Sequence, residues 1–233
     1  MAATVGRRIR QAAAQGATDL AWAVATLTGW VPHPPRRAGP GTLLWFPVLG
    51  AMLGLVWEGL ARRSPWSGLV TAALAWGVEA LATRGRSWSG WAAGFAGRAP
   101  GVAAAATSLG VVAAVAAWAG ARHLAGIPFA AATGGYGAMA VSLEWLPPPV
   151  PGQAARWLGR TRRPWAGSAA GLLALALTLV AGGAGAAVWT WVGLAAGVAG
   201  SWAAAWRRGG LDGSALRTGG LVAMMTVLLG AGL

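Results

Sequence analysis

The stretch Leu43-Leu44-Trp45-Phe46-Pro47-Val48-Leu49-Gly50-Ala51-Met52-Leu53-Gly54-Leu55-Val56-Trp57-Glu58-Gly59-Leu60-Ala61 contains a single charged residue, Glu58, and is closed by Arg62 and Arg63. A helix rises about 1.5 Å per residue, so a run of this length and polarity spans the ~30 Å hydrocarbon core of a bilayer. Runs of the same kind recur at 66–82, 102–121, 127–146, 167–182, 186–206 and 218–233. Together they predict an all-α fold: a polytopic integral membrane bundle of about seven transmembrane helices, with residues 43–233 as one domain. Residues 1–42 are expected to be a separate N-terminal segment. Within it, 19–30 is too short to cross and stops against Pro32, Pro34 and Pro35, which reads as an interfacial helix.

Composition supports the same class. With 56% of the residues hydrophobic and only 10% charged, the chain lacks the polar surface that a soluble domain of this size requires. The formal charge is +13 and every basic residue is arginine. Nucleic-acid binding would need those charges on a solvated face. Here they stand at the ends of apolar runs, so the expected partner is the lipid bilayer and no nucleic acid. The absence of cysteine excludes disulfides and thiolate metal sites. Arg7, Arg8 and Arg10 resemble the charged start of a signal peptide, but the apolar stretch that follows is weak and contains Asp19, so no cleaved signal is expected.

The arginines also set an orientation. If the seven runs cross in turn, 15 arginines fall on one side and three, Arg62, Arg63 and Arg122, on the other. Basic residues are retained on the cytoplasmic side. The expectation is therefore a multi-pass protein of a bacterial inner membrane with a cytoplasmic N-terminus. Trp45, Trp66, Trp145, Trp165 and Trp206 lie near run ends, where an indole suits the headgroup region. Gly50 with Gly54, Gly193 with Gly197, and Gly134 with Ala138 have the small-residue spacing that lets helices approach closely.

Groups able to do chemistry are few. The acids are Asp19, Glu58, Glu79, Glu144 and Asp212, and an acid within a span is costly enough to mark either a function or a buried pair. Glu58 is at helical spacing from Arg62 and Glu144 is near a run end, which makes both interfacial. Glu79 is deeper, and it suits either a pairing with Arg84 or a functional role. His33 and His123 join no carboxylate and no second histidine at ligand spacing, so no metal site is expected from them. No serine stands in a recognisable nucleophile turn. The most informative loop is 83–98. It is glycine-spaced and arginine-flanked, and Arg84, Arg86 and Arg98 could present guanidinium groups to a phosphate. Retention of a positive loop on the cytoplasmic side needs the same arginines.

Three segments together resemble the cobalamin synthase family, membrane enzymes that join adenosylcobinamide-GDP to alpha-ribazole or its phosphate. Leu27-Thr28-Gly29-Trp30-Val31-Pro32 is similar to the family's Leu-Thr-Arg-x-Pro-like stretch. Trp45-Phe46-Pro47-Val48-Leu49-Gly50 is similar to its Phe-Pro-Leu-Val-Gly opening of a span, and Arg207-Arg208-Gly209-Gly210-Leu211-Asp212-Gly213 resembles its Arg-Arg-x-Gly-Gly-Leu-Thr-Gly-Asp loop. Laid on the family's signature Thr-Gly-x-Leu-His-x-Asp-Gly-x-x-Asp-x-x-Asp-Gly, Thr83, Gly90 and Gly97 match. The histidine becomes Ser87 and the three aspartates become Ser89, Ala93 and Ala96. A further Asp-Ser-Arg-x-Gly segment falls on Ala103 to Ala106 and Thr107, and the aspartate of the last loop becomes Ser214.

The resemblance implies a site loop at Ser87, Ser89, Gly90, Ala93, Ala96 and Gly97, with a corrinoid or nucleotide as ligand. It also implies magnesium in the intact family, because carboxylates share that ion's octahedral shell with a diphosphate. Serine and alanine cannot replace that charge. The expectation is a protein without a cofactor, impaired as a transferase, that binds a ligand, an active paralogue or a second copy of itself. Two alternatives remain: a still-active transferase using Asp212 and Glu79, and a non-enzymatic permease or structural membrane protein, although no internal repeat of the transporter kind is visible.

Overall fold

In a computed structural model the protein is described over residues 2–33, 38–93, 100–146 and 165–232, and no strand occurs among them. Helix α1 covers Ala2–Thr28 and is followed by a 3-10 turn, Pro40–Leu44. Next come α2 (Trp45–Arg63), α3 (Gly68–Thr83), α4 (Arg86–Ala93), α5 (Pro100–Ala121) and α6 (Ile127–Trp145). The helical stretch Ala166–Trp206 is broken at Gly183, whose φ of 77° and ψ of −175° suit only glycine. It yields α7 (166–182) and α8 (184–206). The last helix is α9, Gly213–Gly232.

The bundle is built around α6, in which residues 127–140 are all buried. Its neighbours reach it through small residues. Gly50 and Gly54 of α2 lie against Ala132 and Phe129, and Gly134 faces Thr190 of α8. A Cβ added at Gly135 would come within 2.9 Å of the Gly220 carbonyl oxygen of α9. Gly193 and Gly197 of α8 also face Ala223 of α9, Gly197 where the three helices meet. In lipid there is no hydrophobic drive between helices, so such close backbone approach supplies the association through dispersion.

The same contacts give the directions. Gly167 lies against Ala140 and Gly182 against Gly126, so α7 runs antiparallel to α6. Gly197 lies against Ala138, and Ser142 Oγ donates to Ser201 Oγ at 3.0 Å, so α8 runs parallel to it. The chain therefore reverses at Gly183. Arg122 donates to the Trp66 carbonyl, and Gly232 approaches Gly120, so the connections after α2 and α5 share one end of the bundle with Gly183 and the end of α9. The opposite end gathers α4, the C-terminal part of α1, and the segment joining α8 to α9.

Four stretches are long and apolar enough to cross a membrane: Pro40–Arg63, Gly101–Ala121, Ala166–Trp206 and Gly213–Gly232. The seven expected runs thus correspond to four such stretches, one of them the α7–α8 hairpin, together with the shorter apolar α3 and α6. Residues 127–140 of α6 are enclosed by its neighbours, while Trp145 at its end is exposed. Large apolar residues point outward, among them Leu55, Leu74, Leu109, Leu172 and Val180, while Thr71, Thr133, Ser142, Thr178, Thr190 and Ser201 are buried. That arrangement places hydrocarbon against hydrocarbon and keeps hydroxyls inside, as a bilayer demands.

Three expectations need correction. The N-terminal helix is not confined to 19–30: it begins at Ala2, because the alanine-rich start sustains helix. The segment from Thr83 is not wholly a loop, since Arg86 to Ala93 form α4. Glu79 does not pair with Arg84, which reaches instead to the Gly29 carbonyl and the Trp30 ring. Ala96, Gly97, Arg98 and the four arginines at 156, 160, 162 and 163 lie outside the described residues.

Because the chain has no cysteine, single cysteines report topology directly. Ser67→Cys, in the short α2–α3 connection, should react with a membrane-impermeant maleimide from one face of sealed vesicles. Arg10→Cys and Arg207→Cys should react only from the other.

Candidate functional site

The carboxylates locate what the chain can and cannot do. Asp19 is buried, and its Oδ1 accepts from Gly39 N at 2.7 Å, at the start of the 3-10 turn, and also from Gln15 and Thr42. Glu58 Oε1 accepts from Arg62 and from Gly126 N at 3.0 Å, the residue that precedes α6. Glu144 accepts from Ser168 N at 2.7 Å in the first turn of α7. Asp212 Oδ1 accepts from Ala215 N at 2.7 Å and so caps α9. Each of these four acids satisfies a backbone donor at or beside a helix start, where an orphan N–H and the helix dipole both favour a negative group.

Glu79 is the exception. It is fully buried, Ser87 Oγ donates to its Oε1 at 2.6 Å, and its Oε2 has no partner among the described residues. The hydroxyl of Thr83, one turn on, is also buried beside it. Ser87 is brought to Glu79 by the tight end of α3. There the N–H of Gly85 donates to the Ala80 carbonyl and that of Arg84 to Leu81, with Arg84 and Gly85 both left-handed (φ 53° and 69°). This paired closure is the Schellman arrangement, in which glycine is the usual left-handed residue. Here arginine holds that position.

Two of the three segments that carried the resemblance, those from Leu27 and from Arg207, converge at this end with the loop from Thr83, and α2, which holds the third, rises from it. Trp30 Nε1 donates to the Leu81 carbonyl at 2.8 Å, and Arg84 donates to the Gly29 carbonyl at 3.1 Å while lying over the Trp30 ring. A Cβ at Gly29, itself left-handed (φ 67°), would overlap the guanidinium of Arg86. On the other side of α4, Gly90 packs on Ser214 and on Arg217 Cβ, and Thr218 Oγ1 donates to the Gly90 carbonyl at 3.2 Å. Residues 27–30, 84–90 and 212–218 thus form one surface although they are far apart in the chain.

Within that surface Arg84 is tied to α1, while Arg86, with a 3.5 Å bond to the Ala25 carbonyl, is half-buried. Ser89 is exposed and donates to the Arg86 carbonyl, Gly90 is buried, and Ala93 is half-buried. Asp212 is held by Arg208 at 3.2 Å and by Ser214 at 2.7 Å. Asp212 and Glu79 therefore engage separate partners. His33 stacks near Trp22 at 4.5 Å between ring centroids. Desolvation there, and secondarily the charge of Arg86, lower its pKa from the ordinary histidine value.

A magnesium ion does not fit the motif positions. Ser89 offers one neutral hydroxyl, Gly90 and Ala93 offer none, and Asp212 already carries a guanidinium and a helix cap. Among the described residues no three acidic or histidine side chains cluster as metal ligands would. No family model, curated protein or solved structure matches the chain.

Sequence reasoning treated Arg217 as a topological arginine and passed over Trp57 and Trp76. The indole of Trp57 donates to Ala75 and that of Trp76 to Ala114, tying α2 to α3 to α5, and Trp88 of α4 stacks edge-on at 5.4 Å. A tryptophan inside a run carries no sign of which helix will accept its N–H. Ser87→Ala should leave Oε1 of the Glu79 carboxyl unpartnered and cost about 1–3 kcal/mol, measured as a lower unfolding midpoint in detergent. Ser89→Ala, at an exposed position, should change it little.

Proposed function

We propose that the chain is a cobalamin synthase-like protein of a bacterial inner membrane. In this reading seven helices cross, the N-terminus is cytoplasmic, and the arginine-rich end faces the cytoplasm. It keeps the architecture of the family's site and has lost its metal-dependent transfer chemistry. The observation that carries the reading is the packing of Gly90 on Ser214 and Arg217. The site loop that the resemblance implies meets there the last loop that resembles the family, although nothing in their composition required it.

Physical reasons favour loss of turnover over a rearranged active site. Transfer from a diphosphate to alpha-ribazole, with a nucleoside monophosphate leaving, requires charge neutralisation at the phosphates, which the family's aspartates would provide through magnesium. Here four acids satisfy backbone donors and the fifth, Glu79, is enclosed with Ser87. The arginines that remain can bind phosphate oxygens but supply no general base. The protein therefore acts as a binder of a phosphate-bearing corrinoid or nucleotide, alone or beside an active paralogue.

Purified protein in lipid, supplied with magnesium, adenosylcobinamide-GDP and alpha-ribazole, should form no cobalamin product above a protein-free control. Steady turnover, abolished by Asp212→Asn, would instead identify a still-active enzyme.

A further inference from the structure

The Glu79 carboxyl stands one turn before the end of α3 and is fully buried. Ser87 Oγ donates to its Oε1 at 2.6 Å, while Oε2 is left over, and among the described residues no arginine forms an ion pair with it. Thr83, four residues on, shares the same helix face. The hydroxyls of Thr133, Thr178 and Thr190 each return to the carbonyl four residues back. That of Thr83 does not, and is buried beside the Glu79 carboxyl instead.

The surroundings offer little to balance a charge there. Helix α3 packs on α1, α2, α4 and α5. Helix α5 carries no titratable residue, and those of α2, Glu58, Arg62 and Arg63, stand at the other end of the bundle. In α1 they are Arg7, Arg8 and Arg10, in its first third, and Asp19, which is bonded to Gly39 N, whereas the last turns of α1 are those that meet α4. Helix α4 brings Arg86, whose guanidinium lies against Gly29 and Ala25 on the α1 side, and Arg84 before it lies over the Trp30 ring. Tyr136 of α6, a phenol neutral at ordinary pH, is also near. Hydroxyl groups alone do not offset a full negative charge out of water, and a buried acid so placed takes up a proton.

We propose that Glu79, Thr83 and Ser87 form a proton-binding site, in which the proton sits on Glu79 Oε2 and is shared in a hydrogen bond with Thr83 Oγ1 while Ser87 holds Oε1. Glu79 belongs to none of the segments that resemble the family, and the proton needs neither a metal nor a substrate, so the site stands apart from the function proposed above. It occupies the joint between α3 and α4. The neutral acid lets Ser87, and with it α4, close on the end of α3, and loss of the proton puts an uncompensated charge in that joint.

The test compares the full chain with its Glu79→Gln variant by infrared difference spectroscopy at about pH 7, in dodecyl maltoside, a detergent without carbonyl groups. Glutamine keeps both hydrogen bonds of the neutral acid, accepting from Ser87 and donating to Thr83, so the variant should fold. The difference spectrum should hold the C=O stretch of one protonated carboxyl and no carboxylate bands. Thr83→Val should move that band to higher frequency, because the acid O–H loses its acceptor, and Thr83→Ser should leave it in place. These two variants assign the band should Glu79→Gln fail to fold. Stability carries the same signature. The folded chain holds a proton that the unfolded chain releases above the ordinary carboxyl range, so the thermal midpoint of the wild type should fall relative to Glu79→Gln as pH rises from about 6 to about 9. Carboxylate bands in place of the acid band, a band indifferent to Thr83→Val, or a midpoint difference constant over that range would overturn the proposal. So would loss of the band in sodium chloride but not in choline chloride, which would make the occupant a metal ion.

Discussion

Backbone donors at helix starts claim most of the negative charge this protein possesses. Asp19, Glu58, Glu144 and Asp212 each accept from an N–H at or beside the beginning of a helix or 3-10 turn. In a bundle bounded by lipid this is a sound use of an acid, because an orphan N–H near hydrocarbon costs several kcal/mol and water is scarce there. It also constrains everything else. An acid engaged by a cap and an arginine, as Asp212 is, is a poor metal ligand and a poor base, so the chemistry left to the chain is that of its arginines.

The helix packing explains why the segments that carry those arginines meet. Small residues on α2, α6, α8 and α9 allow backbone contact around the buried α6. Close packing fixes helix register, since a shift of one residue would drive side chains into neighbouring carbonyls. Fixed register carries the first turns of α9 to α4, and the tight end of α3 carries α4 and Ser87 to Glu79. The turn at Gly183 puts the α7–α8 reversal at the far end, which leaves the polar segments to the arginine-rich end.

Much of this was legible in the chain. Run length and polarity located the apolar helices, because a span is a one-dimensional property of sequence. The glycine spacings marked close contacts but not partners, since Gly50 carries no record that Ala132 lies opposite. The site was legible only in part. Ser87, Gly90 and Arg86 fall at the surface that the resemblance implied, whereas Arg84 is diverted to Trp30 and Gly29. Arg217 was hidden because a cation near a run end always has a topological explanation. The capping roles of Glu58 and Glu144 were unreadable, because each serves a helix distant in sequence.

The most direct test is Asp212→Ala, with unfolding free energy and pyrophosphate affinity measured on the same preparation. If the acid is a helix cap, stability should fall by about 1 kcal/mol, and affinity should not fall, because the carboxylate is engaged by Arg208, Ser214 and the α9 cap. Unchanged stability with lost affinity would contradict this account and make Asp212 a working residue of the site.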